Sequence, residues 1–187
     1  MLNIEDVKEH TIREEDMPLI WTNAKKAEIG GSSQIRKDNS RQQYLSEDQL
    51  VGQIATYCGS MILTNSTEGY IKARDKANAS PTKGDNGVDI IGLDNVDIKG
   101  SLMRYSNDPL RYRLLVRDKE RHDDWIYVLG LVPKQRPYKT YLVGWAKDSD
   151  LPKEKYTGSI KSLHGAYVLD AKNLRPITTL LLESDKW

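Results

Sequence analysis

The stretch GVDIIGLDNVDIKGS, residues 87–101, decides the predicted fold of this chain, because it places three aspartates and a lysine among valine, isoleucine and leucine. Burial normally excludes charge from such an apolar segment. The β-rich alternation over residues 88–93 and 96–103 predicts two neighbouring strands. The pair Asp94 and Asn95 between them tolerates tight-turn geometry, so the stretch is predicted to form a β-hairpin.

The charged residues of this hairpin are predicted to converge. Side chains alternate along a strand, so Asp97 and Lys99 share one face, and Asp89 on the adjacent strand can lie beside Asp97. Two neighbouring carboxylates repel unless a cation lies between them, and their oxygens favour Mg²⁺, with Mn²⁺ as a substitute. Lys99 could orient or help to deprotonate a water, and could neutralise charge on a phosphorane-like transition state. The pattern favours metal-dependent phosphodiester hydrolysis.

The segments before the hairpin differ in regularity. Residues 46–63 carry apolar side chains close to helical spacing, with Ser46 placed to cap the start, which predicts a helix. Residues 3–28 predict one or two helical pieces interrupted by Pro18, and residues 64–87 are polar and turn-forming up to the hairpin.

Three short runs after the hairpin extend the predicted sheet to about five strands: YRLLVRD at 112–118, DWIYVLGLVP at 124–133 and TYLVGWA at 140–146. A short strand followed by helical residues is predicted at 165–183. A helix, then several strands, then small helices predict a mixed α/β (α+β) fold with one central mixed sheet. With 187 residues the chain suits one such core domain at 46–187, preceded by a helical and basic arm at 1–45.

GVD at 87–89 followed by DIK at 97–99 resembles the active-site signature of the PD-(D/E)xK nuclease superfamily, which includes restriction and homing endonucleases, Holliday-junction resolvases and repair nucleases. Val88 stands where the signature has proline. The resemblance implies that Asp89 and Asp97 are metal ligands and that Lys99 is the catalytic lysine. It also implies a restriction-endonuclease-like core, with helices flanking the sheet in αβββαβ order, over roughly residues 46–145.

Many members of that superfamily carry a glutamate on the helix before the first core strand, where this chain has Gln53 in LVGQIATYCGS. Gln53 can hold a metal-bound water or hydrogen-bond a ligand. Glu47 lies about two turns earlier on the predicted helix and would need a different helix approach to replace it. Because Gln53 replaces the glutamate, the alternatives to a fully active nuclease are weak activity, an altered metal preference or an inactive descendant of the superfamily.

Basic residues are unevenly distributed along the chain, although its net charge is only +1. Such separation can create one positive face that binds a phosphate backbone, and scattered solvated charge is the alternative. The predicted DNA contacts are Arg36, Lys37 and Arg41 in the arm and Arg104, Arg111 and Arg113 after the hairpin.

Other function classes find less support in the sequence. No apolar run approaches the length of a membrane span, and the acidic N-terminus lacks the features of a secretory signal, so we expect a cytoplasmic protein. The resemblance to the nuclease superfamily implies that the cell is bacterial or phage-infected. The single cysteine, Cys58, cannot form an internal disulfide and is expected to be buried. Neither a GxxxxGK[ST] nor a GxGxxG motif is present, which disfavours nucleotide-driven or NAD-dependent chemistry.

The expected function is therefore a Mg²⁺-dependent endonuclease that acts on double-stranded or branched DNA in restriction, homing, recombination or repair, and the resemblance implies a homodimer. A Holliday-junction-resolvase-like enzyme is the nearest alternative. A noncatalytic nucleic-acid-binding protein on the same fold is another. The last is an ordinary charged hairpin, in which Asp89, Asp97 and Lys99 point apart.

Overall fold

The computed structural model of the chain describes residues 1–29, 42–79, 88–160 and 163–184. Within these ranges the α-helices are α1 (Met17–Ile29), α2 (Gln42–Thr64), α3 (Glu68–Ala79) and α4 (Ile177–Ser184). The strands are β1 (Lys8–Thr11), β2 (Val96–Leu102), β3 (Arg113–Arg117), β4 (Ile126–Val132), β5 (Lys139–Lys147) and β6 (Ala166–Asp170).

The central sheet has four strands in the order β1-β5-β4-β2. β2 and β4 run parallel, with Val96 opposite Ile126, whereas β4 pairs with β5 and β5 with β1 in antiparallel fashion. β3 and β6 form a separate two-stranded antiparallel sheet. The predicted mixed α+β class, with a mixed central sheet and flanking helices, is confirmed.

Two apolar cores lie on the two faces of the central sheet. On one face, Ile98 and Val128 pack with residues of α2, including the buried Cys58. On the other face, Tyr127 and Leu129 of β4 pack with residues of β3 and β6. Strand alternation therefore directs Asp97 and Lys99 towards the face opposite α2.

Glycine allows α2 to approach the sheet closely. A Cβ atom at Gly100 would lie 3.0 Å from the backbone oxygen of Val51, and one at Gly130 would lie 3.0 Å from Cβ of Ala55. The absence of a side chain at these two paired positions lets α2 lie close against β4 and against β2, the strand that carries the predicted site.

The prediction of a first hairpin strand at residues 88–93 is wrong. Residues 88–95 form consecutive turns, and Gly92 has a φ of 97°, in the left-handed region that strands do not use. The Ile91 N–H donates to the backbone oxygen of Gly69 at 3.1 Å, while the side chain of Ile90 is fully buried. The loop therefore buries its apolar residue and satisfies its backbone against α3, without pairing with β2.

Two other elements were missed by sequence pattern. The segment 64–87 was predicted to be polar turns, but α3 forms within it, with Tyr70, Ala73 and Arg74 as its buried residues. Three buried positions, one of them charged, give little apolar periodicity. β1, within the segment predicted to be a helical arm, is an edge strand of the central sheet. Its sequence, KEHT, has no aliphatic residue, so only pairing with β5 identifies it.

The order of elements departs from the αβββαβ succession implied by the resemblance. After α2 the chain forms α3, and from β2 to β5 the described segments between strands contain only turns and short 3₁₀ helices. Among the described residues, no helix is both long and apolar enough to cross a membrane.

Candidate active site

Asp97 and Lys99 lie together on the sheet face opposite α2. Nζ of Lys99 is 2.7 Å from Oδ2 of Asp97, and the two side chains are 18% and 13% exposed, respectively. Residues two apart on a strand share a face, so this contact follows from the local sequence. The charged-hairpin alternative, in which the side chains point apart, is therefore wrong for Asp97 and Lys99.

Glu120 completes an ionic cluster around Lys99. It ends the 3₁₀ turn Asp118–Glu120 after β3, and its Oε2 lies 3.0 Å from Nζ of Lys99. Burial opposes the charge of Lys99, but the carboxylates of Asp97 and Glu120 outweigh it and raise the pKa of the lysine. Burial also opposes the charge of Glu120, yet Lys99 outweighs it and lowers the pKa of that carboxyl. The Lys99 ammonium and the Glu120 carboxylate are therefore ionised at neutral pH.

The sequence contained no signal for Glu120. It lies 21 residues after Lys99, in a charged segment with no spacing that relates it to the DIK tripeptide. Only the turn after β3 brings it to this face of the sheet.

Asp89 lies at the edge of the central sheet, where a backbone amide and a guanidinium contact its carboxylate. Its Oδ2 accepts a 2.7 Å hydrogen bond from the backbone N–H of Ile98, and its Oδ1 lies 3.5 Å from Nη2 of Arg74. The same guanidinium donates to the backbone oxygen of Val88 at 3.3 Å. Because Ile98 lies between Asp97 and Lys99, these bonds hold the Asp89 carboxylate beside the backbone that carries both.

Gln53 lies on α2 and takes part in a buried polar chain. Its Oε1 accepts a hydrogen bond from the Tyr70 hydroxyl at 3.0 Å, and that hydroxyl accepts one from Nδ2 of Asn23 at 3.1 Å. Burial raises the pKa of Tyr70 to about 12, so the hydroxyl remains a neutral donor. Gln53 is 5% exposed and lies on the helix side of the sheet, whereas Asp97 and Lys99 are directed to the opposite face.

The arginines predicted to contact DNA have different surroundings. Nη2 of Arg104 lies 2.7 Å from a carboxylate oxygen of Glu47, the residue considered as a substitute for Gln53. Nε of Arg113 lies 2.6 Å from Oδ1 of Asp170. Arg111 is exposed. Arg36, Lys37 and Arg41 lie outside the described residues.

The donor chemistry at the edge of β2 suits a hard divalent cation. Mg²⁺ usually binds through one or two carboxylates and keeps several waters, and Asp89 and Asp97 supply two carboxylates. In the part of the chain that the structure describes, no group of three or more His, Cys, Asp and Glu side chains could hold a metal ion. A metal at Asp97 would compete with Lys99 for its carboxylate, and one at Asp89 would compete with Ile98 and Arg74.

Comparison of the chain with models of protein families, with curated proteins and with solved structures found no match. The likeness to the PD-(D/E)xK superfamily accordingly rests on the signature residues themselves.

Proposed function

We propose that this protein is a Mg²⁺-dependent DNA endonuclease that hydrolyses phosphodiester bonds through Asp89, Asp97 and Lys99. One observation carries the proposal. The ammonium of Lys99 lies 2.7 Å from the carboxylate of Asp97, while Asp89 is hydrogen-bonded to the residue between them. Two carboxylates and a lysine at one edge strand, Asp89 from the preceding loop and Asp97 and Lys99 from β2, can hold a metal ion and stabilise charge during phosphodiester hydrolysis.

Each residue has a distinct role in this proposal. Asp89 and Asp97 would hold the metal ion, which when bound polarises the phosphate and lowers the pKa of a bound water. Lys99 is kept protonated by Asp97 and Glu120, so its ammonium would stabilise the negative charge that develops on the phosphate oxygens. Glu120 would keep the ammonium at this face when a cation draws Asp97 away from it.

The proposed substrate is double-stranded or branched DNA, cut in the cytoplasm of a bacterial or phage-infected cell by a homodimer. Arg111 is exposed and can contact a phosphate directly. Arg104 and Arg113 would exchange their carboxylate partners, Glu47 and Asp170, for phosphates. Such exchange between surface ion pairs costs little, because each pair contributes about 0–1 kcal/mol.

The test is cleavage of supercoiled plasmid, linear duplex and four-way-junction DNA with Mg²⁺, Mn²⁺ or EDTA. The wild type is compared with Asp97→Ala and Lys99→Ala, and with Asp123→Ala and Lys119→Ala as controls at exposed positions. Metal-dependent cleavage that only the first two substitutions abolish, in variants with wild-type circular dichroism, would support the proposal. Cleavage that survives both would contradict it, and a preference for the four-way junction would identify a junction-resolving enzyme.

A noncatalytic nucleic-acid-binding protein is the second candidate, and the Gln53 contact favours it. The amide oxygen of Gln53 accepts the Tyr70 hydrogen bond inside the core, where a catalytic glutamate would need to reach a metal. This candidate predicts salt-sensitive DNA binding that changes neither with Mg²⁺ nor with Lys99→Ala. Binding of that kind, with no cleavage of any of the three DNA forms, would decide in its favour.

A further inference from the structure

Tyr105 presents an aromatic ring to solvent in the loop that follows β2. Its side chain is 68% exposed, yet it is held in one orientation by two contacts. The ring stacks on that of Tyr112, with centroids 4.4 Å apart and an interplanar angle of 24°. Its hydroxyl donates to the backbone oxygen of Arg111 at 3.2 Å. One face of the ring is therefore covered, and the exposed area belongs to the rest of the ring.

The ring beneath Tyr105 is a fixed support. Tyr112 is only 2% exposed, and its hydroxyl accepts hydrogen bonds from the backbone N–H groups of Tyr105 and Ser106 at 3.4 and 3.2 Å. The same hydroxyl donates to the backbone oxygen of Ser106 at 2.8 Å. The loop is folded around a buried tyrosine, so Tyr105 loses little further conformational entropy when a flat partner covers it.

Arginine occurs three times in the segment 104–113 that carries the exposed ring. Arg104 precedes it in the chain, and the backbone of Arg111 receives its hydroxyl proton. Arg113 and Asp170 both act on the Tyr105 hydroxyl electrostatically. Burial against the loop, together with Tyr112, raises the pKa of that hydroxyl, so the ring stays neutral and does not repel phosphate. A neutral, rigid aromatic face next to guanidinium groups has the chemistry that single-stranded nucleic acid recognises.

We propose that Tyr105 is a stacking platform for an unpaired nucleobase, with phosphates of the flanking nucleotides contacted by the neighbouring arginines. The inference rests on the proposed function in taking nucleic acid as the substrate, and it narrows that substrate to DNA with an unpaired or displaced base. The loop begins directly after Leu102, and Lys99 lies three residues earlier, about 10 Å along the strand. The loop that carries the stacking ring therefore begins about 10 Å along the strand from the lysine of the proposed active site.

The experiment measures binding in EDTA, where no metal-dependent cleavage occurs. Fluorescence anisotropy compares a labelled oligothymidylate with the same backbone carrying abasic sites at its central positions. Stacking on one ring is expected to make the wild type bind the intact strand about 5- to 150-fold more tightly. Tyr105→Ala should bind both strands equally, at the affinity of wild type for the abasic strand. Tyr105→Phe keeps the ring and should retain most of the difference.

Two controls separate stacking from loss of structure. Trp21→Ala removes another exposed aromatic ring, 39% exposed on α1, and should leave the difference unchanged. Tyr105→Leu keeps much of the side-chain volume without the aromatic face and should behave like Tyr105→Ala. Thermal unfolding of every variant, compared with wild type, shows whether the loop change alters folding.

The outcomes for the two proposals are distinguishable. A Tyr105→Ala variant that still prefers the intact strand, or a wild type that binds the two strands equally, would overturn the stacking site. So would a wild type that binds neither strand at low salt, which would favour a protein partner at this ring. Lys99→Ala should keep the preference in EDTA, so a failed cleavage assay with an intact preference rejects the nuclease alone.

Discussion

The carboxylate of Asp89 accepts a 2.7 Å hydrogen bond from the backbone N–H of Ile98, which anchors an irregular loop to the edge strand of the central sheet. Such an edge amide is otherwise open to pairing with another strand. Arg74, whose side chain is 9% exposed, lies 3.5 Å from the other carboxylate oxygen. Ile98 and Arg74 thus help to fix the aspartate that the proposed reaction uses as a metal ligand.

Asp89→Ala is expected to destabilise the fold by about 2–3 kcal/mol, because it removes a hydrogen bond to a charged acceptor and leaves the Arg74 charge without this counterion. Asp89→Asn keeps an acceptor for the Ile98 N–H, so its loss of stability should be roughly half that of Asp89→Ala. Urea unfolding measures both. Asp123→Ala, at an exposed position, should change stability by less than about 0.5 kcal/mol. An Asp89→Ala variant as stable as this control would contradict the anchoring role.

Glu120→Gln tests the ion pair with Lys99 through its pH dependence. The pKa of Glu120 is lowered in the folded state, so its charge contributes stability above the unfolded-state pKa of about 4.3, and that contribution disappears as pH falls through the folded value. Since the Glu120 side chain is 34% exposed, the free energy of unfolding of the wild type should exceed that of the variant by only about 0.5–1 kcal/mol at pH 7.

Chemical unfolding at a series of pH values measures this difference, which should begin to fall near pH 4.3 and vanish only below the lowered folded pKa of Glu120. Glu154→Gln, an exposed control, should show no such dependence. A difference between wild type and Glu120→Gln that stays constant with pH would point to packing as its cause and exclude the ion pair.

Gln53→Glu tests whether position 53 belongs to the core or to the metal site. Burial should raise the pKa of the new carboxyl, so the variant should lose stability as pH rises from about 4.3, reaching a deficit of about 1–3 kcal/mol once the folded carboxyl ionises. Thermal unfolding between pH 4 and 8 measures the loss, with exposed Gln135→Glu as the control. A variant that keeps its stability and gains Mg²⁺-dependent cleavage would instead assign position 53 to the metal.

Two glycines at the contact between α2 and β2 should respond in opposite directions to alanine. A Cβ at Gly100 would lie 3.0 Å from the backbone oxygen of Val51, so Gly100→Ala should destabilise by about 1–3 kcal/mol through overpacking. A Cβ at Gly52 meets nothing within 4 Å, and helix propensity predicts a gain of about 0.5–1 kcal/mol. Urea unfolding compares the two, and a stabilised Gly100→Ala would contradict the close approach of helix and strand.

The elements that the sequence predicted are those whose information is local. Helical periodicity identified α2, and short β-branched or aromatic runs identified β3, β4 and β5. Asp97 and Lys99 share a face because neighbouring side chains on any strand alternate, whichever strand pairs with it. That single contact of 2.7 Å is the part of the candidate site that the sequence determined by itself.

Tertiary structure decided the rest of the site, since its contacts join residues far apart in the chain. Asn23 donates a hydrogen bond to Tyr70, which is 47 residues away in the chain, and Lys99 donates one to Glu120, which is 21 residues away. Asp89 contacts β2 from a loop, although the alternation of apolar residues predicted a strand there. The loop forms because Ile90 is buried and the Ile91 N–H donates to the backbone of α3. Sequence pattern records the period of each element, but the free energy of burial and hydrogen bonding between elements selects which faces meet.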